Sequence, residues 1–255
     1  MADITSKNNA KIIFAKKLLE KKYRDRENLF IAETEKVIEE AVKAGLVLHE
    51  AYILQDKHFE ILKKYKNVFL KTKVFKLTEN VFKELSSTMS PDGIVAVFEK
   101  KVQEKVYGGG NFLILDCVQN PDNMGAIFRT AAASNFGQIF TINSVDKYNP
   151  KVLRASMGNQ FKLNIVEIDY NDIQALFKNA KIYSMDMSGQ DLFKMSNFDK
   201  NAGFVIGNEG NGLSKQIKEL VKNYIKIPME NGVESLNASI SASIVMYYIY
   251  SKNLT

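Results

Sequence analysis

A single cysteine, Cys117, stands in a chain of 255 residues, and only two histidines, His49 and His58, accompany it. One cysteine cannot form an internal disulfide framework, and with two histidines it cannot assemble a multi-ligand zinc site, so no metal is expected. Long apolar runs are also missing. The longest near the C-terminus, Ile244 to Tyr250, falls far short of the ~20 residues a membrane span needs. The N-terminus, Met1 to Ala10, is polar and lacks the apolar core of a secretory signal. These absences point to a cytoplasmic protein without membrane attachment.

Several enzyme signatures are absent as well. Gly207, Gly210 and Gly212 do not form a dinucleotide fingerprint, because the strand–GxGxxG–helix context is lacking. There is no phosphate loop, no GxSxG nucleophile elbow and no zinc-protease HExxH. Cys117 has no histidine near it in sequence and reads as a small hydrophobe. Both histidines lie in the N-terminal half and read as surface or packing residues.

What is present is the composition of a globular protein, 45% hydrophobic and 25% charged. The net charge is +6. Residues 1–105 hold 21 basic against 16 acidic residues, so the excess sits in the N-terminal half. It concentrates in Lys7, Lys11, Lys16, Lys17, Lys21, Lys22, Arg24 and Arg26. Such a cluster suits a polyanion, since each neutralised phosphate releases condensed counterions. A solvated helix face would hold the same residues.

The chain length favours two domains. Ala10–Lys22 predicts an amphipathic helix, with Ile12, Ile13, Ala15, Leu18 and Leu19 on one side. A strand at 29–32, a helix at 34–43 ended by Gly45, a strand at 47–54 and a helix at 58–64 follow. Then come a strand at 68–70, a helix at 78–86 and a strand at 93–98 entered through the Pro91-Asp92-Gly93 turn. This alternation predicts a small α/β domain over residues 1–105. Lys100–Gly110, charged and then glycine-rich, is the expected linker.

A second domain is expected over residues 106–255. Strands are predicted at 112–115, 138–142, 164–168, 181–185, 203–206 and 224–227. Helices are predicted at 125–135, 149–156, 173–178 and 214–221, with a long final one at 235–250. Short β-rich runs separated by single helices predict a parallel sheet covered on both faces.

Ligands of such sheets bind at the carboxyl ends of the strands, and three stretches fall there. They are Asn120–Gly125, Gly207–Gly212 and Pro228–Asn237. Each carries small residues that permit close backbone approach and offer N–H groups. Arg129, one helical turn beyond Gly125, is one of four arginines against thirty-one lysines. An arginine here points to a need for a planar, permanently charged fork, or to a buried pair that ties loops together.

Together the three stretches resemble the motifs of the SpoU/TrmH branch of the SPOUT methyltransferases. The first is Asn123-x-Gly125-x-x-x-Arg129-Thr130-Ala131. The second runs from Val205 through Gly207-Asn208-Glu209-Gly210-x-Gly212 to Ser214. The third is Ile227-Pro228-Met229 with Ser235-Leu236-Asn237-Ala238-Ser239. The resemblance covers roughly residues 107–255, and the segment Ser6–Glu33 is similar to the substrate-binding domain that often precedes this catalytic domain. Thr34, where the family commonly has glycine, and Asn120, where aspartate is frequent, depart from the pattern.

The resemblance implies a parallel-sheet SPOUT domain with a C-terminal trefoil knot, preceded by a small ribosomal-protein-like α/β domain. It also implies a homodimer and a knot that forms the S-adenosylmethionine pocket. Gly207, Ile227 and Leu236, with Asn208 and Met229, are the matching cofactor positions. Arg129 would act on the ribose 2′-hydroxyl or the adjacent phosphate, and Asn123 would orient it. Glu209, Ser235 and Asn237 would position the arginine, the ribose or the phosphate. Arg154 resembles a segment near the substrate. With Lys16, Lys17, Lys21, Lys22, Arg24 and Arg26 it makes up the expected RNA-binding set.

The implied activity is 2′-O-methylation of RNA. The basic front domain favours 23S ribosomal RNA over transfer RNA, and a non-catalytic ribosome-assembly factor is the alternative outside the enzyme class. Arginine's pKa, above ~12, disfavours a general base and favours a cationic clamp.

Overall fold

Two runs of alternating hydrophobic residues build two sheets. The computed structural model describes residues 2–88, 90–105, 107–196, 198–252 and 254. These divide into one compact unit of Met1–Val102 with Tyr148–Phe161, and a second of Gln103–Lys147 with Lys162–Thr255. The return of Tyr148–Phe161 to the first unit has no counterpart in the sequence reading.

The first unit begins with β1 (Ala2–Ile4), α1 (Ala10–Lys17) and α2 (Lys21–Glu27). It continues through β2 (Leu29–Glu33), α3 (Glu35–Lys43), β3 (Leu48–Leu54) and α4 (His58–Lys64). β4 (Lys73–Leu77), α5 (Glu79–Phe82) and β5 (Ile94–Glu99) complete it up to the linker. The sheet order is β1-β4-β3-β5-β2. β5 runs antiparallel to both β3 and β2, and the other pairs are parallel.

Side chains alternate across this sheet with period two. Phe30, Ala32, Ala51, Ile53, Ile94, Ala96 and Phe98 face α3 and α4 through Val37, Ile38, Ala41, Ile61 and Tyr65. Leu29, Ile31, Tyr52, Val95 and Val97 face α1 and α5 through Ile12, Ala15, Val81 and Phe82.

Two expectations fail here. The helix expected at Ala10–Lys22 breaks into α1 and α2, because Nη1 of the buried Arg24 donates to the carbonyls of Leu18 (2.9 Å) and Leu19 (2.8 Å). The strand expected at 68–70 is a 3₁₀ turn, Val68–Lys71. Ile61, Tyr65 and Phe69 bury one helical face, and β4 takes the place in the sheet.

No helix or strand is assigned to the described residues between β5 and the next strand, where the linker is expected. Val106 within it lies outside the described residues. The second unit opens with β6 (Phe112–Asp116), α6 (Pro121–Ala133) and β7 (Gln138–Ile142). The chain then contributes α7 (Pro150–Ala155) to the first unit, where Leu153 joins the core beside α3. β8 (Asn164–Glu167), α8 (Asp172–Leu176), β9 (Lys181–Asp191) and β10 (Ala202–Ile206) follow. α9 (Lys215–Leu220), β11 (Asn223–Lys226) and α10 (Ala238–Lys252) end the chain.

All pairs in the second sheet are parallel, in the order β11-β9-β10-β6-β7-β8. One face, with Phe112, Ile114, Phe140, Ile142 and Val205, packs on α8 and α9 through Ile173, Phe177, Ile217 and Val221. The alternate residues Leu113, Leu115, Phe204 and Ile206 are equally buried, and α10 packs on α6 and β10.

Candidate active site

Three strands that are neighbours in the second sheet, β11, β9 and β10, send their carboxyl ends to one place. The register of β9 against β11 jumps between Tyr224, opposite Ser184, and Ile225, opposite Gln190. Residues 185–189 are thereby looped out of the ladder as a bulge, the device by which strands re-aim side chains beside sites. Gly189 permits the return, since a Cβ there would lie 2.5 Å from the Ile225 nitrogen.

A cavity of about 240 Å³ forms at these strand ends. Its walls are the bulge (Met185, Asp186, Met187), the loop after β10 (Gly207, Asn208, Glu209, Gly210) and the segment after β11 (Ile227, Met229, Ser235, Leu236). All five expected cofactor positions, Gly207, Asn208, Ile227, Met229 and Leu236, line it, as do Glu209 and Ser235. The sequence reading missed Met185–Met187 because it ended the strand at 185, before the bulge.

The loop after β10 closes tightly on itself. Asn208 N–H donates to the Gly212 carbonyl (2.9 Å), and Gly212 N–H returns a bond to Asn208 (3.0 Å). A Cβ on Gly207 would lie 2.6 Å from the Gly212 carbonyl, so only glycine fits this approach. The end of β6 grips the loop at both ends. Asn208 Nδ2 donates to the Cys117 carbonyl (2.9 Å), and Ser214 N–H donates to Oδ2 of fully buried Asp116 (2.7 Å). The Tyr170 hydroxyl donates to the other Asp116 oxygen (2.8 Å). Burial, aided by the bonds to Cys117 and Asp116, pushes that hydroxyl up to about 12. Asp116 and Tyr170 escaped the sequence reading. Only an acidic residue ending a buried strand signals the former, and nothing marks the latter.

From Glu209, which lines the cavity, a chain of polar groups joins all three motifs. Asn123 Nδ2 donates to Oε1 of Glu209 (3.0 Å), and Asn237 Nδ2 donates to Oδ1 of Asn123 (2.9 Å). Oδ1 of Asn237 accepts from Ser239 N–H (2.8 Å) and caps α10. Burial raises the Glu209 carboxyl, but the Asn123 amide and nearby backbone N–H groups outweigh it, leaving the pKa below the ordinary carboxylate value. Glu209 is therefore an anion at neutral pH.

Several expectations about this constellation are corrected. The helix of the first motif starts at Pro121, not Gly125. Asn120 accepts from Asp122 N–H (2.8 Å) and Asn123 N–H (3.2 Å), and proline suits the first helical position. Asn123 does not contact Arg129: six residues on, the helix has turned about 240° beyond a full turn. Arg129 is exposed and, among the described residues, has no hydrogen-bond or ion-pair partner. The final helix begins at Ala238, leaving Ser235 in the preceding loop and Asn237 at the cap.

The expected RNA-binding set divides. Arg24 is 2% exposed and bound to backbone carbonyls, out of reach of a phosphate. Arg154 bonds Glu33 and the Ser87 hydroxyl (2.6 Å), which ties α7 to β2. Lys16 pairs with Glu84, Lys21 with Asp25, Lys22 with Glu20 and Arg26 with Glu27. Lys17 lies over the Tyr23 ring at 5.7 Å. Among the described residues no helix is long and apolar enough to cross a membrane, and no group of three His, Cys, Asp or Glu residues is placed to hold a metal.

A cavity at the carboxyl ends of parallel strands, walled by glycine loops and methionines with an anchored carboxylate in its lining, defines an α/β enzyme with a small-molecule site. Residues 110–247 match the SpoU rRNA methylase family, and residues 9–96 match an MRM3-like substrate-binding domain. The chain is 26% identical to the 23S rRNA (guanosine(2553)-2′-O)-methyltransferase RlmP of Bacillus subtilis, over 98% of this chain and 99% of that one. It is 32% identical to an uncharacterized tRNA/rRNA methyltransferase of Borreliella burgdorferi, over 79% and 78%. Its fold is similar to that of the SpoU methyltransferase AviRb from Streptomyces viridochromogenes, solved with AdoMet. That likeness has a TM-score of 0.89 at 22% identity and covers 97% and 99% of the two chains. The chain belongs to the SpoU rRNA methylase family and is an S-adenosylmethionine-dependent RNA methyltransferase.

Proposed function

We propose that this protein methylates a ribose 2′-hydroxyl of 23S ribosomal RNA, with residues 1–105 binding the RNA and residues 106–255 carrying out transfer. One observation carries the reading. The Glu209–Asn123–Asn237 chain ties the three motifs together behind Glu209, which lines the cavity. The near full-length likeness to RlmP supports the choice of RNA.

The lining residues fit S-adenosylmethionine. Ile206, Leu213, Ile227 and Leu236 offer apolar surface to a purine, and Asp186 and Glu209 offer carboxylates to a cation. Gly207 and Gly210 let backbone groups approach closely. When bound, the cofactor supplies an electrophilic methyl group on a sulfonium. The 2′-hydroxyl is a weak nucleophile, so the protein must stabilise the developing alkoxide. Arg129 does this as a permanently charged clamp on the alkoxide and the neighbouring phosphate. Asn123 holds Glu209 and Asn237 in register, and Ser235 positions the ribose or phosphate from the cavity rim.

The protein works as a cytoplasmic homodimer in which each site takes residues from both subunits. Ile240 and Tyr247, both half-exposed, lie on the outer face of α10, and α10 packs on the helix that carries Arg129, which has no partner among the described residues. The C-terminal segment forms a trefoil knot. In support, α10 returns from the edge strand β11 to pack on β10 and α6.

Mapping ribose methylation in ribosomal and transfer RNA from a deletion strain tests the substrate. Loss of one 2′-O-methyl group in 23S RNA is expected. Loss in transfer RNA alone overturns the choice of RNA, and loss of none overturns the activity.

A further inference from the structure

Of the lysines expected to bind RNA, Lys16, Lys21 and Lys22 each have a carboxylate partner, whereas among the described residues a second group of lysines has none. Lys57, Lys63, Lys66, Lys71 and Lys73 are all exposed, and among the described residues none has an ion-pair partner. They lie on and around α4 and the 3₁₀ turn after it. The segment 55–73 holds six lysines against two carboxylates, Asp56 and Glu60, and so carries most of the chain's net charge of +6 in 19 residues. Its sixth lysine, Lys64, is held by Glu35 and Glu39.

Helical spacing sorts this segment into two faces. Ile61, Tyr65 and Phe69 point into the core. Phe59, Lys63, Lys66 and Leu70, spaced by four, three and four, point outward. Phe59 is 87% exposed and Leu70 74% exposed. Apolar surface and unpaired lysines are therefore presented to solvent on the same side of this segment. The His58 ring stands edge-on to the Phe59 ring at 5.9 Å and fixes one side of the platform.

A flat exposed ring among unpaired cations suits single-stranded nucleic acid, in which an unstacked base lies on the aromatic face while lysines neutralise the flanking phosphates. We infer that the outward side of α4 and of the turn after it is an RNA-binding surface, in which an unpaired base of the substrate stacks on Phe59 and the adjoining phosphates lie on Lys63 and Lys66. The charge is of the wrong sign for a second copy of this patch. The inference deepens the proposed function, since it assigns part of substrate recognition to one helix of the first unit.

The test uses the full chain and an unmethylated 23S rRNA transcript, followed by both methyl transfer and equilibrium binding. Phe59→Ala raises the KM for RNA and weakens RNA binding about fivefold or more, with kcat and S-adenosylmethionine affinity unchanged. Phe59→Trp retains binding and Phe59→Leu does not, which separates stacking from plain apolar contact. Lys63→Ala with Lys66→Ala lowers the slope of log K against log salt by about 0.7 per lysine.

Unchanged RNA affinity in Phe59→Ala overturns the inference, as does equal affinity for Leu and Trp at this position. A dissociated dimer in Phe59→Ala assigns the patch to self-association and also overturns it. A wild-type protein that binds the transcript without methylating it contradicts the proposed substrate instead, and the binding comparison still decides the role of Phe59.

Discussion

The side-chain amide of Asn237 donates to Oδ1 of Asn123 at 2.9 Å, joining the cap of the last helix to the first turn of α6. The residues are 114 apart in sequence. Asn123 is 7% exposed, and its amide group goes on to hold Glu209. The polar groups behind Glu209 are thus one connected structure, and removing any member loosens the others.

Asn237→Ala should lower kcat for methyl transfer at least tenfold and cost about 1 kcal/mol of stability through the lost helix cap. Asn237→Ser should recover the stability, since serine also caps, without recovering the rate. Thermal melts with steady-state kinetics separate the two effects.

Much of this arrangement was legible in the sequence, because motif positions at the carboxyl ends of strands fall on one edge of a sheet whenever the strands are parallel. Gly207 and Ile227 meet in the cavity because β10 and β11 are parallel and flank β9, and the loop after β11 brings Leu236 back to them. The partnership of Asn123 was not legible, since a helix start mistaken by four residues conceals which side its residues face. Nor was the bulge at 185–189, which depends on how β9 pairs with β11. Charge counting did not show which of the basic residues are paired. It located the lysines at 7–26 but not Glu84, Glu50 and the carbonyls of Leu18 and Leu19, which come to them only in the folded chain.

Arg129→Ala should abolish transfer while leaving S-adenosylmethionine affinity within about twofold, because Arg129 does not line the cavity. Arg129→Lys should keep part of the rate if positive charge suffices. Calorimetric titration and single-turnover kinetics check this, and a large loss of cofactor affinity in either variant contradicts the assignment.

Asp116→Ala should weaken cofactor binding about tenfold or more, because Ser214, at the end of the loop that walls the cavity, and Tyr170 both lose their acceptor. Asp116→Asn, which keeps an acceptor for Ser214 N–H, should bind more tightly than the alanine variant. Tyr170→Phe leaves that contact in place and should have the smallest effect.

Gly207→Ala should fail to form the loop, since its Cβ would overlap the Gly212 carbonyl. Loss of S-adenosylmethionine binding with retained far-ultraviolet circular dichroism is the expected outcome. Normal binding would contradict the geometry.

The lowered pKa of Glu209 gives a pH dependence of definite sign. A carboxylate whose folded pKa lies below its unfolded value stabilises the protein above the unfolded value, about 4.3, and that stabilisation is lost as pH falls through the folded one. Melting temperatures of wild type and Glu209→Gln should therefore converge on acidification below about pH 4.3 and differ most near neutrality.

Incubating the protein with methyl-labelled S-adenosylmethionine and an unmethylated 23S rRNA transcript, then hydrolysing the RNA with alkali, shows whether the methyl group goes to a ribose of this RNA. Label in one alkali-resistant dinucleotide, absent with Arg129→Ala, is expected. Label on a base, or none in wild type, would contradict ribose 2′-O-methylation of this RNA.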